Sequence, residues 1–338
     1  MDNSTCQTIV HTPVLLQECL HYLSPEGEPF SENAFLIDST LGEGGHSNGF
    51  LKTYPNLQVL GLDADANIQA KARRRLACYG NRMNFHLGWF NDFYRDFDFS
   101  AENPRPNLIL FDLGISVFHY EESGRGFSFR KDEPLDMRLN SNAGPSAADV
   151  VNSWSEQKLA DIIYLYGEER YSRRIAAAIV AARSSSRIES SADLAELIYS
   201  VVPAAYRHGH LHPATRTFQA LRIVVNGELN RLPQVLPEAF NVLQVGGKMG
   251  VITFHSLEDR IVKNYFRNLG KTCVCPPEQP ICKCGGSPHA QVLTRKPVLP
   301  TKDEVAANGP SRSAKLRVIR KLKELDVETS RMISPIEE

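Results

Sequence analysis

Apolar positions along this 338-residue chain follow two rhythms. Short apolar runs end at a carboxylate at 34–37, at 59–62 (VLGL) and at 108–111, within a near-continuous run read as a strand over 107–114 (NLILFDLG). Continuous runs of this kind suit strands buried on both faces of a parallel sheet. Residues 83–90 (MNFHLGWF) read as a further strand ending in aromatics, placing Phe90 at a strand's C-terminal end. Between 141 and 212 the rhythm becomes helical, with amphipathic segments at 155–166, 171–183 and 192–202 and no strand signal between them. AAAIVAAR is strong helix former throughout, and the Ser-rich connections SSSR and ESSAD supply caps. From Pro213 a further helix puts Phe218, Leu221, Val225, Leu229 and Leu232 on one stripe. Arg216, Gln219, Asn226 and Asn230 fall opposite, with Arg222 on the flank. The α/β rhythm then returns: a Gly246-Gly247 turn, a strand at 249–254, a helix opened by His255-Ser256, and two late strands in HAQVLTRKPVLP and KLRVIRKL. At the start, Thr12 caps and Pro13 opens a helix over 13–23. The pattern predicts an α/β fold in two parts, 1–140 and 213–324, around a helical insertion at 141–212, with a polar tail at 325–338.

The stretch 35–63 carries the clearest chemistry. A strand ends at Asp38, a turn holds Gly42, Gly44 and Gly45, a helix follows, and the second strand ends at Asp63. Glycines let a backbone approach a ligand, and an acid about 20 residues on can bind ribose hydroxyls. An ordinary βαβ turn with a loop aspartate gives the same pattern. A dinucleotide site wants G-x-G-x-x-G, but the run is G-E-G-G-H-S, with Ser47 in the third glycine's place. Asp38, before the turn, would repel a pyrophosphate and welcome an ammonium. Ribose plus ammonium points to S-adenosylmethionine.

Other positions are candidates with a bland reading beside each. Phe90 can stack on an adenine or simply fill the core. The loop after Asp112, ISVFHYEESGRGFSFRKDEPLDMRLN, alternates Arg125, Arg130 and Arg138 with Phe127, Phe129 and the acids Asp132 and Asp136. Arginines among aromatics can hold phosphate and stack on bases; salt bridges that only pack the loop would look the same. Arg216 and Arg222 belong to an RNA surface or a solvated face. His255, at a strand end, is a site candidate or a helix cap. Cys273, Cys275, Cys282 and Cys284, spaced C-x-C-x6-C-x-C, can hold a structural zinc or be a loop of free thiols. Net charge is −1, which excludes no partner class, and no apolar run reaches the roughly 18 residues of a membrane helix. The N-terminus lacks a signal-peptide pattern, and seven cysteines is an odd number, so a reducing cytoplasm is expected.

Taken together, HTPVLLQE, DSTLGEGGHS, DLGIS, RGFSFRKDEPLDMR, YGEERYSRRIAAAIV, HPATRTFQALRIVVNGEL, FHSLEDRIVKNYF and SRSAKLRV resemble the ribosomal-RNA small-subunit methyltransferase H family, also called MraW. The motifs come in the family's order over nearly the whole chain. The resemblance implies a class I methyltransferase fold with a helical insertion for RNA recognition. It implies methyl transfer from S-adenosylmethionine to N4 of a cytidine in 16S ribosomal RNA, within the small subunit at the decoding centre. Family cofactor positions carry over to Gly44, Gly45, His46, Asp63, Phe90 and Asp112. Where the family has a glutamine after DLG, this chain has His119. A second departure is NGPSRSAKLR, where the family more often has proline and arginine. Asp112, Asp136 and His255 are the candidates for accepting charge or a proton at N4. Rival readings are a DNA N4-cytosine methyltransferase, which usually shows a Pro-Pro-aromatic run where this chain has Asp-Leu-Gly, a dehydrogenase, which Ser47 disfavours, and a ribosome-assembly binder that keeps the cofactor fold without catalysis.

Overall fold

The structure, a computed structural model, describes residues 12–25, 34–98, 104–209, 211–273, 280–281 and 286–325. The chain forms two compact units, one of Met1–Gly114 with Asn230–Glu338, the other Ile115–Leu229. The first is built on a sheet of β1 (Phe35–Asp38), β2 (Gln58–Asp63), β3 (Met83–Leu87), β4 (Leu108–Asp112), β5 (Lys248–Thr253), β6 (Ala290–Val292) and β7 (Lys315–Lys321). The strand order is β3-β2-β1-β4-β5-β7-β6. The pairs β1–β2, β1–β4, β2–β3 and β4–β5 are parallel, while β7 runs antiparallel to both β5 and β6.

Alternation within each strand explains the continuous apolar runs. Leu36, Leu110, Ile252 and Val318 enter one core with Leu15, Cys19, Phe50 and Leu51. Their neighbours Ile37, Phe111, Val251 and Ile319 enter the other, with Leu236, Phe240, Val262 and Tyr265. Successive strand residues point to opposite faces, so a sheet covered on both sides needs apolar residues at every position. Truncating one such residue, as in Leu36→Ala, costs ~2–5 kcal/mol. Helix Leu16–Tyr22 is shorter than expected, and Thr12 does not cap it. Its free N–H at Leu15 is taken instead by Glu304 Oε1 at 2.7 Å. β3 stops at Leu87, so Phe90 opens helix Phe90–Arg95 rather than closing a strand. Among the described residues no helix is long and apolar enough to cross a membrane.

The second unit is helical: Val117–Glu121, Ala147–Ser153, Glu156–Leu165, Ser172–Arg183, Ser191–Val201, Ala204–Arg207 and Thr215–Asn226. Ser146, Ser155 and Ser190 accept hydrogen bonds from backbone N–H groups in the first turns of the helices that follow them. The unit is wider at both ends than the 141–212 read from the pattern. Phe127, Leu135 and Met137 of the arginine-rich loop share a core with Leu159, Ile163, Ile175, Ile198, Phe218 and Leu221. That shared core draws the loop and helix Thr215–Asn226 into the helical unit. The stripe expected to continue from Phe218 to Leu232 breaks at Gly227, whose φ of 61° ends the first helix before Glu228–Val242 begins. Asn226, expected on a polar face, is buried and bonds Met137 O and the Leu139 amide, both at 2.8 Å.

Candidate active site

Three neighbouring strands in the first unit each end in a carboxylate. Asp38 closes β1, Asp63 closes β2 on one side of it, and Asp112 closes β4 on the other. Ligands of open parallel sheets bind outside these C-terminal ends. Gly44 begins the turn into helix Gly45–Thr53 with φ 83°, and a Cβ there would lie 2.6 Å from Leu76 Cδ1, so only glycine fits. Asp63 ties the turn to its own strand: Oδ2 accepts from the Gly42 amide and Oδ1 from the Asp65 amide, each at 2.8 Å. A carboxylate has about four lone-pair sites, so these two bonds leave acceptor capacity for a ligand hydroxyl. Ser47, the residue that breaks the dinucleotide pattern, donates to Asp38 Oδ2 at 2.7 Å. His46 Nε2 bonds Val14 O at 2.9 Å, and its Nδ1 lies 3.6 Å from Asp112 Oδ2. The Asp112 amide donates to Thr40 Oγ1 at 2.6 Å. The roles of Ser47 and Thr40 had no signal in the sequence beyond a hydroxyl near the turn.

The electrostatics of this cluster is unbalanced. Burial raises Asp63 to about 7, against the lowering pull of the Asp65 and Gly42 amides. It raises Asp112 to about 6, with His46 lowering it and Asp38 adding to the rise. Asp38 is raised for the same reason, with His46 opposing. Among the described residues no lysine or arginine pairs with any of the three. Asp112 Oδ1 is buried without a hydrogen-bond partner. Buried carboxylates in this state favour a ligand that brings positive charge and donors. S-adenosylmethionine fits: it has a sulfonium, an ammonium and ribose hydroxyls. Phe90 packs edge-on against Phe111, with ring centroids 5.7 Å apart, beside Trp89. Arg231, not singled out in the sequence, lies over the Trp89 ring at 3.9 Å and bonds Asn91 Oδ1 at 2.9 Å.

His255 lies past the end of β5 as the cap of helix Ser256–Leu269. Its Nδ1 accepts from the Glu258 amide at 3.4 Å, and Glu258 reaches back to the Phe254 amide at 2.9 Å. Its Nε2 also lies 3.1 Å from Glu258 Oε1, so the ring both caps the helix and faces the side chain of the same glutamate. Asp136 and His119 belong to the helical unit. Asp136 holds Arg138 through two bonds of 2.8 Å. Burial works against its charge, but those bonds outweigh it and keep the carboxyl below its usual range. His119 is buried, its ring 5.4 Å from Phe118 and 5.3 Å from Phe127. Of the five arginines assigned to RNA, Arg125 bonds Arg138 O at 2.8 Å and Arg216 bonds Glu168 O at 2.8 Å. Arg222 forms a two-point pair with Glu228 at 2.9 and 3.0 Å, and Arg138 pairs with Asp136. Arg130 is exposed. Cys273 is exposed; Cys275, Cys282 and Cys284 lie outside the described residues, and with them the proposed zinc cluster.

The strand order, with β7 alone reversed between β5 and β6, and the glycine turn flanked by strand-end acids define a class I S-adenosylmethionine-dependent methyltransferase. A family model described as the MraW methylase family matches residues 8–322. The chain belongs to that family. It is 58% identical to the ribosomal RNA small subunit methyltransferase H of Treponema denticola, over 93% of this chain and 98% of the relative. It is 44% identical to the protein of the same name from Treponema pallidum, covering 94% of each. The Syntrophotalea carbinolica protein of that name is 44% identical over 94% of this chain and all of its own.

Proposed function

We propose that this chain transfers a methyl group from S-adenosylmethionine to the exocyclic N4 of a cytidine in 16S ribosomal RNA, at the decoding centre of the small subunit, in the cytoplasm. The observation that carries the reading is Asp112: a carboxylate at the end of a central strand, with one buried oxygen lacking a hydrogen-bond partner. The cofactor, when bound, supplies an electrophilic methyl group on sulfur. Asp63 accepts hydrogen bonds from the ribose while its amide bonds keep it fixed to the glycine turn. Asp38, steadied by Ser47, faces the cationic end of the ligand.

The N4 of cytosine is a poor nucleophile because its lone pair is delocalised into the ring. Holding it in line with the methyl group can supply ~7–11 kcal/mol of barrier reduction. Asp112, ionised above about pH 6, accepts a hydrogen bond from the amino group and then its proton as positive charge develops. Burial makes this carboxylate a stronger base than a solvated one. The target base leaves its stack to enter the pocket, as bases do for enzymes that modify them. The position is tested by digesting RNA methylated in vitro and identifying the nucleoside. N4-methylcytidine is expected; a methyl group on C5, or on another base, would refute the assignment. The second reading, an assembly binder without catalysis, predicts cofactor binding with no methyl transfer to any RNA.

A further inference from the structure

Most arginines of the helical unit are tied down. Arg138, Arg187 and Arg222 pair with carboxylates, and Arg125, Arg183 and Arg216 donate to backbone carbonyls. Arg170, Arg173 and Arg174 differ. All three are exposed, and among the described residues none of the three guanidinium groups has an ion pair or a hydrogen bond. Yet Arg170 is held in place. Its guanidinium lies 4.8 Å from the Tyr171 ring centroid and 5.0 Å from that of Tyr206. Those rings meet at 4.9 Å and 71°. The fully buried Glu169 fixes both: it accepts from the Tyr206 hydroxyl, and from the Tyr171 amide at 2.9 Å. The preceding residue, Glu168, has φ 50°, rare for a side chain of its kind, and Arg216 holds its carbonyl at 2.8 Å. Arg173 and Arg174 sit in the first turn of helix Ser172–Arg183, which has no acid there. Cations at that end oppose the helix dipole. In the free protein these features add positive charge to positive charge, and an anion removes the conflict.

We propose that Arg170, Arg173 and Arg174 form a docking patch for the phosphate backbone of the RNA substrate, with Arg170 preset on its two tyrosines. This rests on the reading of the chain as an RNA methyltransferase. A guanidinium lying on aromatic rings keeps its N–H edge for two-point bonding to phosphate. Phosphates arranged along a strand match three cations within five residues better than a single bound anion does. The patch steers and anchors RNA while the chemistry takes place elsewhere.

The test uses full-length protein and a 16S ribosomal RNA transcript, with dissociation constants measured from about 50 to 200 mM salt. The R170A/R173A/R174A variant should bind at least tenfold more weakly at low salt. Its slope of log affinity against log salt should shrink by about two to three, as expected for the loss of three phosphate contacts. R170K/R173K/R174K should recover the slope. Melting temperature should be no lower than wild type in either variant, since the alanines remove charges that oppose the helix dipole, and S-adenosylmethionine affinity should match wild type, which separates a lost RNA contact from a damaged fold. A triple alanine variant with wild-type RNA affinity and slope overturns the patch. If wild type methylates no RNA, the functional reading fails first and the patch falls with it.

Discussion

The strand-end acids of the α/β unit and the arginine-paired acids of the helical unit treat charge in opposite ways. In the α/β unit, Asp38, Asp63 and Asp112 are held by backbone amides, a serine hydroxyl and one imidazole, and among the described residues no lysine or arginine pairs with them. In the helical unit, Asp136, Asp149 and Glu228 each face an arginine within 3.0 Å. A paired charge holds structure together. A carboxylate left unpaired against burial leaves its compensation to a ligand, here a cationic one at the strand ends; the exposed Arg170, Arg173 and Arg174 are compensated by water until, in the proposal above, a phosphate replaces it.

Removing an unpaired carboxylate should damage function and spare the fold. The largest effect is expected for Asp112→Ala, with methyl transfer reduced ~10²–10⁴-fold. Its melting temperature should stay level or rise, because a buried charge without a counter-ion is gone. A variant that turns over normally places the proton acceptor elsewhere. Asp63→Ala should weaken S-adenosylmethionine binding by ~1–3 kcal/mol, measured by calorimetry. Unchanged affinity in a folded variant would remove Asp63 from the ribose site.

The pH dependence sharpens the contrast. Asp63 and Asp112 have folded-state values of about 7 and about 6, above their ordinary value of 3.8. Between these limits the folded protein binds more protons than the unfolded chain. Stability without cofactor should therefore fall as pH rises from about 4 to 7 through these two groups. Cofactor affinity should move the other way, dropping on the order of tenfold from pH 8 to pH 5.5 as the carboxylates protonate. A flat affinity profile would mean that neither carboxylate meets the ligand's positive charge. The smallest functional effect is expected from a paired cation. Arg222→Ala breaks the half-buried pair with Glu228 and should cost about 2 kcal/mol of stability. The salt slope of RNA binding should barely move; a large change would make Arg222 an RNA contact.

Much of the α/β unit was legible because two-sided burial writes itself as uninterrupted apolar runs, as at 108–111. The glycine turn was legible because a positive φ and close packing against Leu76 at Gly44 restrict residue type, and the acids because each closes an apolar strand. The edges of the helical unit were not. Phe127, Leu135 and Met137 have no periodicity to say which core takes them. Asn226 looked solvated, but two backbone groups of a loop nearly 90 residues earlier require its amide. Thr12 had the form of a cap, and Glu304, 289 residues beyond Leu15, took the role. Long-range partners of this kind leave no local trace. Nor does sequence separate paired arginines from unpaired ones: Arg138 and Arg222 each pair with a carboxylate, and Arg170 lies on two tyrosine rings.

The most direct measurement is transfer of labelled methyl from S-adenosylmethionine to small ribosomal subunits prepared from cells lacking this methyltransferase, by wild type and Asp112→Ala side by side. Wild type should place label in 16S ribosomal RNA, and the folded Asp112→Ala protein should place almost none. Equal labelling by both, or label in neither with cofactor bound, would contradict the assignment of the strand-end carboxylates as the site of methyl transfer.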